Sequence, residues 1–428
     1  MRRCAVVVAL TLLVVSCAGV TVHDGAASTS TSLAPSTTLI TTTAPTPTSA
    51  GQASTIPLGP PVAWLAPSGV PLAVIALRGE TVEVLTPCGE AATLSEGEPI
   101  YDVDVIIDPG HGGPVDTGAV APTGLAEKEI NLRVGLATAR TLTEKGIATM
   151  LTRIADYPMP IGIRSDYSDM TGARALVSIH HNAPVAPASD IPGIEIFVQQ
   201  DSTESMRLGG LLYDATMAAL EHFDVDWDRA PDAGVMTVLN PEGLDAYGMV
   251  RRPDAPSALL ELGYIANRAE AELYEHPDYV DAASQSIAIA VDSFLNSAET
   301  GASLVGGRVF RPNRGVGADQ CVEPDLENPL YPDVIEASVT GGPASRSFTV
   351  TMGSPYDSAE RYADAFRIVG DDGRVYGIRE LIHDHTTEQP FTRSLGGVVI
   401  PGSVQTVTIE GRDLVYGWGG GTVELVLR

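Results

Sequence analysis

Between residues 103 and 295, short β-branched runs alternate with longer stretches of helical periodicity, and this alternation restricts the chain to an α/β layered fold. Val103 to Ile107 reads as a strand that stops at the turn Asp108-Pro109-Gly110. Ile130, Val134, Ala137 and Leu142 then recur near a helical repeat before Gly146, and Ile147 to Leu151 is the next strand. Ala175 to Ile179 and Gly193 to Val198 read as further strands, and Met206 to Phe223 and Ala269 to Leu295 as helices. An α/β domain is therefore expected over 101–298.

The flanks differ in character. Residues 56–100 carry short apolar runs separated by Gly and Pro, which predict a small β lead-in. After residue 299 alternating runs such as Ser347 to Met352, Phe366 to Val369, Val404 to Ile409 and Thr422 to Leu427, with Gly-rich turns between them, predict a small all-β C-terminal domain over 299–428.

The first 17 residues read as an export signal. Arg2 and Arg3 precede an apolar run from Ala5 to Val15, too short to span a bilayer, and Val14-Val15-Ser16-Cys17 resembles a lipobox, which implies lipidation of Cys17 and anchoring to the outer face of a membrane. Residues 18–55 are dominated by Ser, Thr, Ala and Pro, a composition that buries too little apolar surface to offset chain entropy, so they are expected to form a disordered linker. In an oxidising compartment Cys88 and Cys321 remain, either paired with each other or as two separate thiols.

Charge excludes one class of partner. With 54 acidic against 26 basic residues the chain carries a formal charge of -28, which repels a phosphate backbone and speaks against nucleic acid.

Four polar clusters sit at strand ends or loop starts of the α/β region, where such folds build their sites. Asp108-Pro109-Gly110-His111-Gly112-Gly113 leaves an imidazole between glycines at a strand tip. Gly124 to Leu132 opens a helix with Glu127 and Glu129, and Ser178-Ile179-His180-His181-Asn182 follows an apolar strand. Two neutral histidines and one carboxylate form a common set for catalytic zinc, with a position left for water. In Ala258 to Tyr264, Glu261 is embedded in an apolar strand, and a carboxylate buried beside a cation is suited to act as general base.

In these clusters, taken in order and followed by Tyr264-Ile265-Ala266-Asn267, the chain resembles the zinc-dependent N-acetylmuramoyl-L-alanine amidases of the Amidase_3 family over roughly 103–297. The resemblance implies a central, mostly parallel sheet with helices on both faces. It also implies His111, Glu127 and His180 as zinc ligands, Glu261 as catalytic base, and cleavage of the amide between N-acetylmuramic acid and L-alanine in peptidoglycan. Arg164 matches a recurrent arginine of the family and reads as structural. Glu129 and His181 stay open as alternative ligands, and Asn182 as either an orienting residue or a turn former. Two other functions remain in view: a zinc peptidase acting within the stem peptide, and a silent wall-binding lipoprotein. His383, His385 and Glu388 form a second histidine-rich stretch, which reads as a surface loop for want of a third ligand at recognisable spacing.

Overall fold

The computed structural model describes residues 59–183, 193–228, 233–311 and 320–427. The export signal, Cys17 and the Ser/Thr/Pro linker lie outside the described residues. Among the described residues no helix is long and apolar enough to cross a membrane.

The lead-in comprises β1 (Ala63–Leu65), β2 (Pro71–Arg78), β3 (Thr81–Leu85), β4 (Ala91–Leu94) and β5 (Glu98–Ile100), an antiparallel sheet of order β4-β3-β2-β1-β5. The α/β region follows with β6 (Val105–Pro109), α1 (Glu127–Glu144), β7 (Thr149–Leu151), α2 (Ile161–Thr171), β8 (Ala175–Asn182), β9 (Glu195–Val198), α3 (Thr203–Leu220), β10 (Gly234–Leu239), α4 (Gly248–Arg251), β11 (Ser257–Tyr264), α5 (Arg268–Tyr274), α6 (Pro277–Asn296) and β12 (Leu304–Val309).

These strands form a seven-stranded sheet of order β12-β10-β9-β11-β8-β6-β7. Its neighbours run parallel except β9 and β11, which are antiparallel, so the sheet is mixed. Alternate residues feed opposite faces. Val105, Ile107, Val177, Ile179 and Leu260 pack under α1, α3 and α6, whereas Ile106 and Leu176 pack with Met150, Tyr167 of α2, Met249 of α4, and Ala63 and Ala73 of the lead-in sheet.

Two boundaries differ from the sequence expectation. The single helix expected over Ala269 to Leu295 is two helices, because Pro277 begins α6 and cannot donate the backbone bond that would continue α5. The central sheet also reaches past residue 298, since β12 pairs with β10 at its edge.

The C-terminal part contains β13 (Asp333–Gly342), β14 (Ser345–Gly353), β15 (Ala363–Gly370), β16 (Val375–Glu380), β17 (Phe391–Val398), β18 (Thr406–Asp413) and β19 (Gly417–Val426). They form two antiparallel sheets, β13-β14-β17 and β16-β15-β18-β19, around Phe348, Val350, Phe366, Ile368, Phe391 and Ile409. Cys88, between β3 and β4, forms a disulfide with Cys321, between β12 and β13, their Cα atoms 5.5 Å apart.

Candidate active site

The fully buried strand β6 delivers Asp108 to the C-terminal edge of the sheet. There the carboxylate accepts hydrogen bonds from Thr152 Oγ1 and Ser178 Oγ, each at 2.6 Å, and pairs with Arg164 Nη1 at 2.8 Å. Burial pushes its pKa up, but the Arg164 charge and these hydrogen bonds outweigh that and hold it below the usual carboxylate range.

The turn that follows is held by two buried guanidiniums. Arg153 donates to the carbonyls of Pro109 (2.8 Å), Gly110 (2.9 Å) and Lys128 (2.7 Å). Arg164 donates to those of Pro109 (2.9 Å), Met159 (2.8 Å) and His111 (2.7 Å). Burial, followed by the neighbouring Arg164 charge, brings the Arg153 pKa down to about 10. At Gly110 a Cβ would collide with the His180 ring, and at Gly118 with Glu127 and His111, so both positions need glycine to let the site close up.

His111 adopts φ 63°, in the left-handed region, and among the described residues it is the one non-glycine there. This backbone turns its ring toward Glu127, the first residue of α1, which is 5% exposed. The resulting geometry is compact. His111 Nε2 lies 3.1 Å and His180 Nδ1 3.0 Å from the same oxygen, Glu127 Oε1, with the two rings edge to face at 4.9 Å between centroids. The potential ligand atoms of His111, Glu127 and His180 all lie within 4.8 Å of one another.

Each member has a supporting partner. His111 Nδ1 donates to Asp116 Oδ1 at 2.6 Å, which directs Nε2 into the cluster. Glu127 Oε2 accepts from the Ala119 amide at 2.9 Å, and Oε1 from the His181 amide at 3.3 Å. Burial pushes the His111 pKa down, but Asp116 and Glu127 overcome it and hold it at about 10. For Glu127 the burial effect is likewise overcome by the two histidines, and its pKa is well below the ordinary value. The donor set, two imidazoles and one carboxylate whose potential ligand atoms lie within 4.8 Å of one another, fits a divalent cation.

Glu261 lies on β11, in register with His180 on one side and Glu195 on the other. It is 7% exposed and its Oε2 has no hydrogen-bond partner among the described residues. Burial, reinforced by Glu127 and Glu195, raises its pKa well above the ordinary value, a state that a nearby cation would reverse.

The alternatives fall elsewhere. Glu129 is exposed and outside the His-Glu-His group. His181 points away from the cluster into the α1 and α6 side, where Nδ1 donates to Asn131 Oδ1 at 2.7 Å and Nε2 lies 2.9 Å from the Tyr279 hydroxyl. Burial brings its pKa down to about 3, so it is a neutral core histidine. Asn182 Nδ2 lies 3.3 Å from Glu195 Oε2. Residues 383–388 form a separate group in the C-terminal part.

The sequence reading missed Asp116, Arg153, Glu195 and Arg308. Glu195 is completely buried in β9, paired with Arg308 of β12 at 2.9 Å and hydrogen-bonded to the Tyr264 hydroxyl. Its signal was available, since a carboxylate in the apolar run Gly193 to Val198 raises the same question as Glu261.

Comparison with known proteins gives the same region a family. Residues 105–293 match the N-acetylmuramoyl-L-alanine amidase family model Amidase_3. An uncharacterized Bacillus subtilis protein, YqiI, is 32% identical over 214 residues, 50% of this chain and 92% of that protein. The Neisseria meningitidis N-acetylmuramoyl-L-alanine amidase AmiC is 27% identical over 220 residues, 45% of this chain and 53% of AmiC. The crystal structure of an N-acetylmuramoyl-L-alanine amidase from Clostridium difficile 630 is 26% identical, covers 46% of this chain and 98% of its own, and superposes with a TM-score of 0.40. With the family match falling on the very strands and turns that carry the clustered histidines and carboxylates, the chain belongs to the N-acetylmuramoyl-L-alanine amidases and is an enzyme of that family.

Proposed function

We propose that this enzyme is a zinc-dependent hydrolase of peptidoglycan that cleaves the amide between N-acetylmuramic acid and L-alanine. The observation that carries this reading is the convergence of His111, Glu127 and His180 beside the buried Glu261, whose Oε2 has no hydrogen-bond partner among the described residues. His111, Glu127 and His180 hold the zinc, which when bound supplies Lewis acidity that polarises a carbonyl and acidifies water. Asp116 keeps His111 in the tautomer that presents Nε2, and Ala119 N anchors the second Glu127 oxygen.

Glu261 does the proton work. Its carboxylate accepts a proton from the water that attacks the lactyl carbonyl carbon, and returns it to the L-alanine nitrogen as the carbon–nitrogen bond breaks. Its burial keeps bulk water from competing for that proton, and Arg308, paired with the adjacent Glu195, offsets part of the negative charge that the base faces. The products are a stem peptide with a free L-alanine amine and a glycan strand with free lactyl carboxylates.

The envelope is the matching location, with Cys17 lipidated and residues 18–55 as a tether from the membrane. Residues 101–298, with β12 added at the sheet edge, form the catalytic unit, and the C-terminal β sheets an accessory one.

Mass spectrometry of peptidoglycan fragments after digestion with and without a chelator tests the reading. Stem peptides beginning with L-alanine, released without chelator and not with it, are expected. Cuts inside the stem peptide would instead make the enzyme a peptidase, and absence of any release would leave a wall-binding protein.

A further inference from the structure

The loop between β16 and β17 brings together His383, His385 and Glu388, whose potential ligand atoms lie within 4.8 Å of one another. This loop carries the chain from one C-terminal sheet to the other. We propose that these three residues form a second transition-metal site, suited to a borderline cation such as zinc, independent of the one at His111.

The argument rests on how the two imidazoles are oriented. His385 is 1% exposed and its ring stacks on Phe391, with 3.7 Å between centroids and 8° between planes. Its Nδ1 lies 3.2 Å from Asp357 Oδ2, an oxygen that also accepts the His385 amide at 2.9 Å, so Nδ1 carries the proton and Nε2 keeps a lone pair. His383 Nδ1 lies 2.8 Å from the Asp384 carbonyl, which can only accept, so here too Nδ1 donates and Nε2 keeps its lone pair. The ring centroids are 5.0 Å apart. Donation from one ring nitrogen to a carboxylate or a carbonyl is the support that histidines receive in metal sites.

Glu388 completes the set. Its amide donates to the His385 carbonyl at 3.1 Å, closing the turn that returns its carboxylate toward the rings. That carboxylate also pairs with Arg393, whose guanidinium lies over Phe391. A cation must therefore compete with Arg393 for one oxygen, which sets the site's affinity below that of a cluster with no such rival. Two imidazoles and one carboxylate favour zinc, nickel or copper over calcium or magnesium, which take oxygen ligands. When filled, the site pins the crossover between the two sheets.

The test is the zinc content of the purified full chain after equilibrium dialysis against micromolar free zinc, read by elemental mass spectrometry. Two zinc ions per chain are expected, falling to one in His383→Ala, whose exposed side chain can be removed without disturbing the core. Arg393→Ala should bind the second zinc more tightly. Addition of zinc should raise the thermal midpoint of a His111→Ala chain, and not that of the chain carrying both substitutions. A single zinc in the wild type that His383→Ala leaves in place would overturn the proposal. A content that falls with His383→Ala but not with His111→Ala would sustain it while removing zinc from the active site, so the two readings fail separately.

Discussion

Glu261 and His180 sit side by side on neighbouring parallel strands, in register, at the edge of the sheet where β6 delivers His111. The placement puts the carboxylate within electrostatic reach of the ligand cluster, on a strand held in register with β8 and β9. Glu261→Gln preserves shape and removes the proton acceptor. It should retain zinc at the active site and lose roughly 100-fold to 10,000-fold in kcat, the span that general base catalysis supplies. Zinc content and turnover on purified peptidoglycan measure the two halves of this expectation.

Asp116 is hydrogen-bonded to His111 behind the cluster. Asp116→Ala should weaken zinc binding at His111 by about 10-fold to 100-fold, the usual effect of removing a carboxylate behind a ligating histidine. Competition against a chelator of known affinity gives the change directly, and an unchanged affinity would show that the hydrogen bond does not orient the ring.

Glu270 supplies a pH dependence away from the catalytic cluster. It is buried, accepts from the Tyr264 amide at 2.7 Å and lies 3.0 Å from the Tyr274 hydroxyl. Burial outweighs these bonds and raises its pKa from 4.5 to about 7. The folded chain therefore keeps a proton that the unfolded chain releases, and the contribution of Glu270 to stability is lost as pH rises from 4.5 through 7. The ceiling on this loss is about 3 kcal/mol. Glu270→Gln should flatten the stability profile between pH 5 and 7, as measured by denaturant unfolding at several pH values.

The Cys88–Cys321 bridge closes a loop with a sequence separation of 233 residues. Loop-closure entropy for a span of this length sets an upper bound of about 5 kcal/mol on its stabilisation. The Cys88→Ser, Cys321→Ser double variant should unfold at lower denaturant concentration by an amount corresponding to about 2 to 5 kcal/mol. Reductant should have no further effect on that variant.

How much of this was legible in the sequence depended on whether the information was local. His111, Glu127, His180 and Glu261 each stood beside a turn, a helix start or an apolar strand, and those local signals identified them as candidates. The structure brings the first three into one cluster, with Glu261 next to His180. Arg308 stands 113 residues from its partner Glu195, and only the strand order β12-β10-β9 brings them together. The reversal of β9 against β11 was hidden for the same reason, since strand direction follows the path of the connections and not the periodicity of the strand. Pro277, by contrast, carried a local signal for the break between α5 and α6, which the expectation of one helix over Ala269 to Leu295 passed over. Residues 383–388 lie in the loop between β16 and β17, in keeping with the loop or surface reading, with His383 and Glu388 exposed and His385 buried against Phe391 at the start of β17.

The two buried arginines behind the Asp108 to His111 turn have one more consequence. Because Arg153 and Arg164 fasten the carbonyls of Pro109, Gly110 and His111, the left-handed backbone at His111 is maintained by the protein's own donors. Neither guanidinium belongs to the His-Glu-His group, yet both shape the turn that carries its first member. A substitution at either arginine would therefore reach the site through the backbone that carries His111.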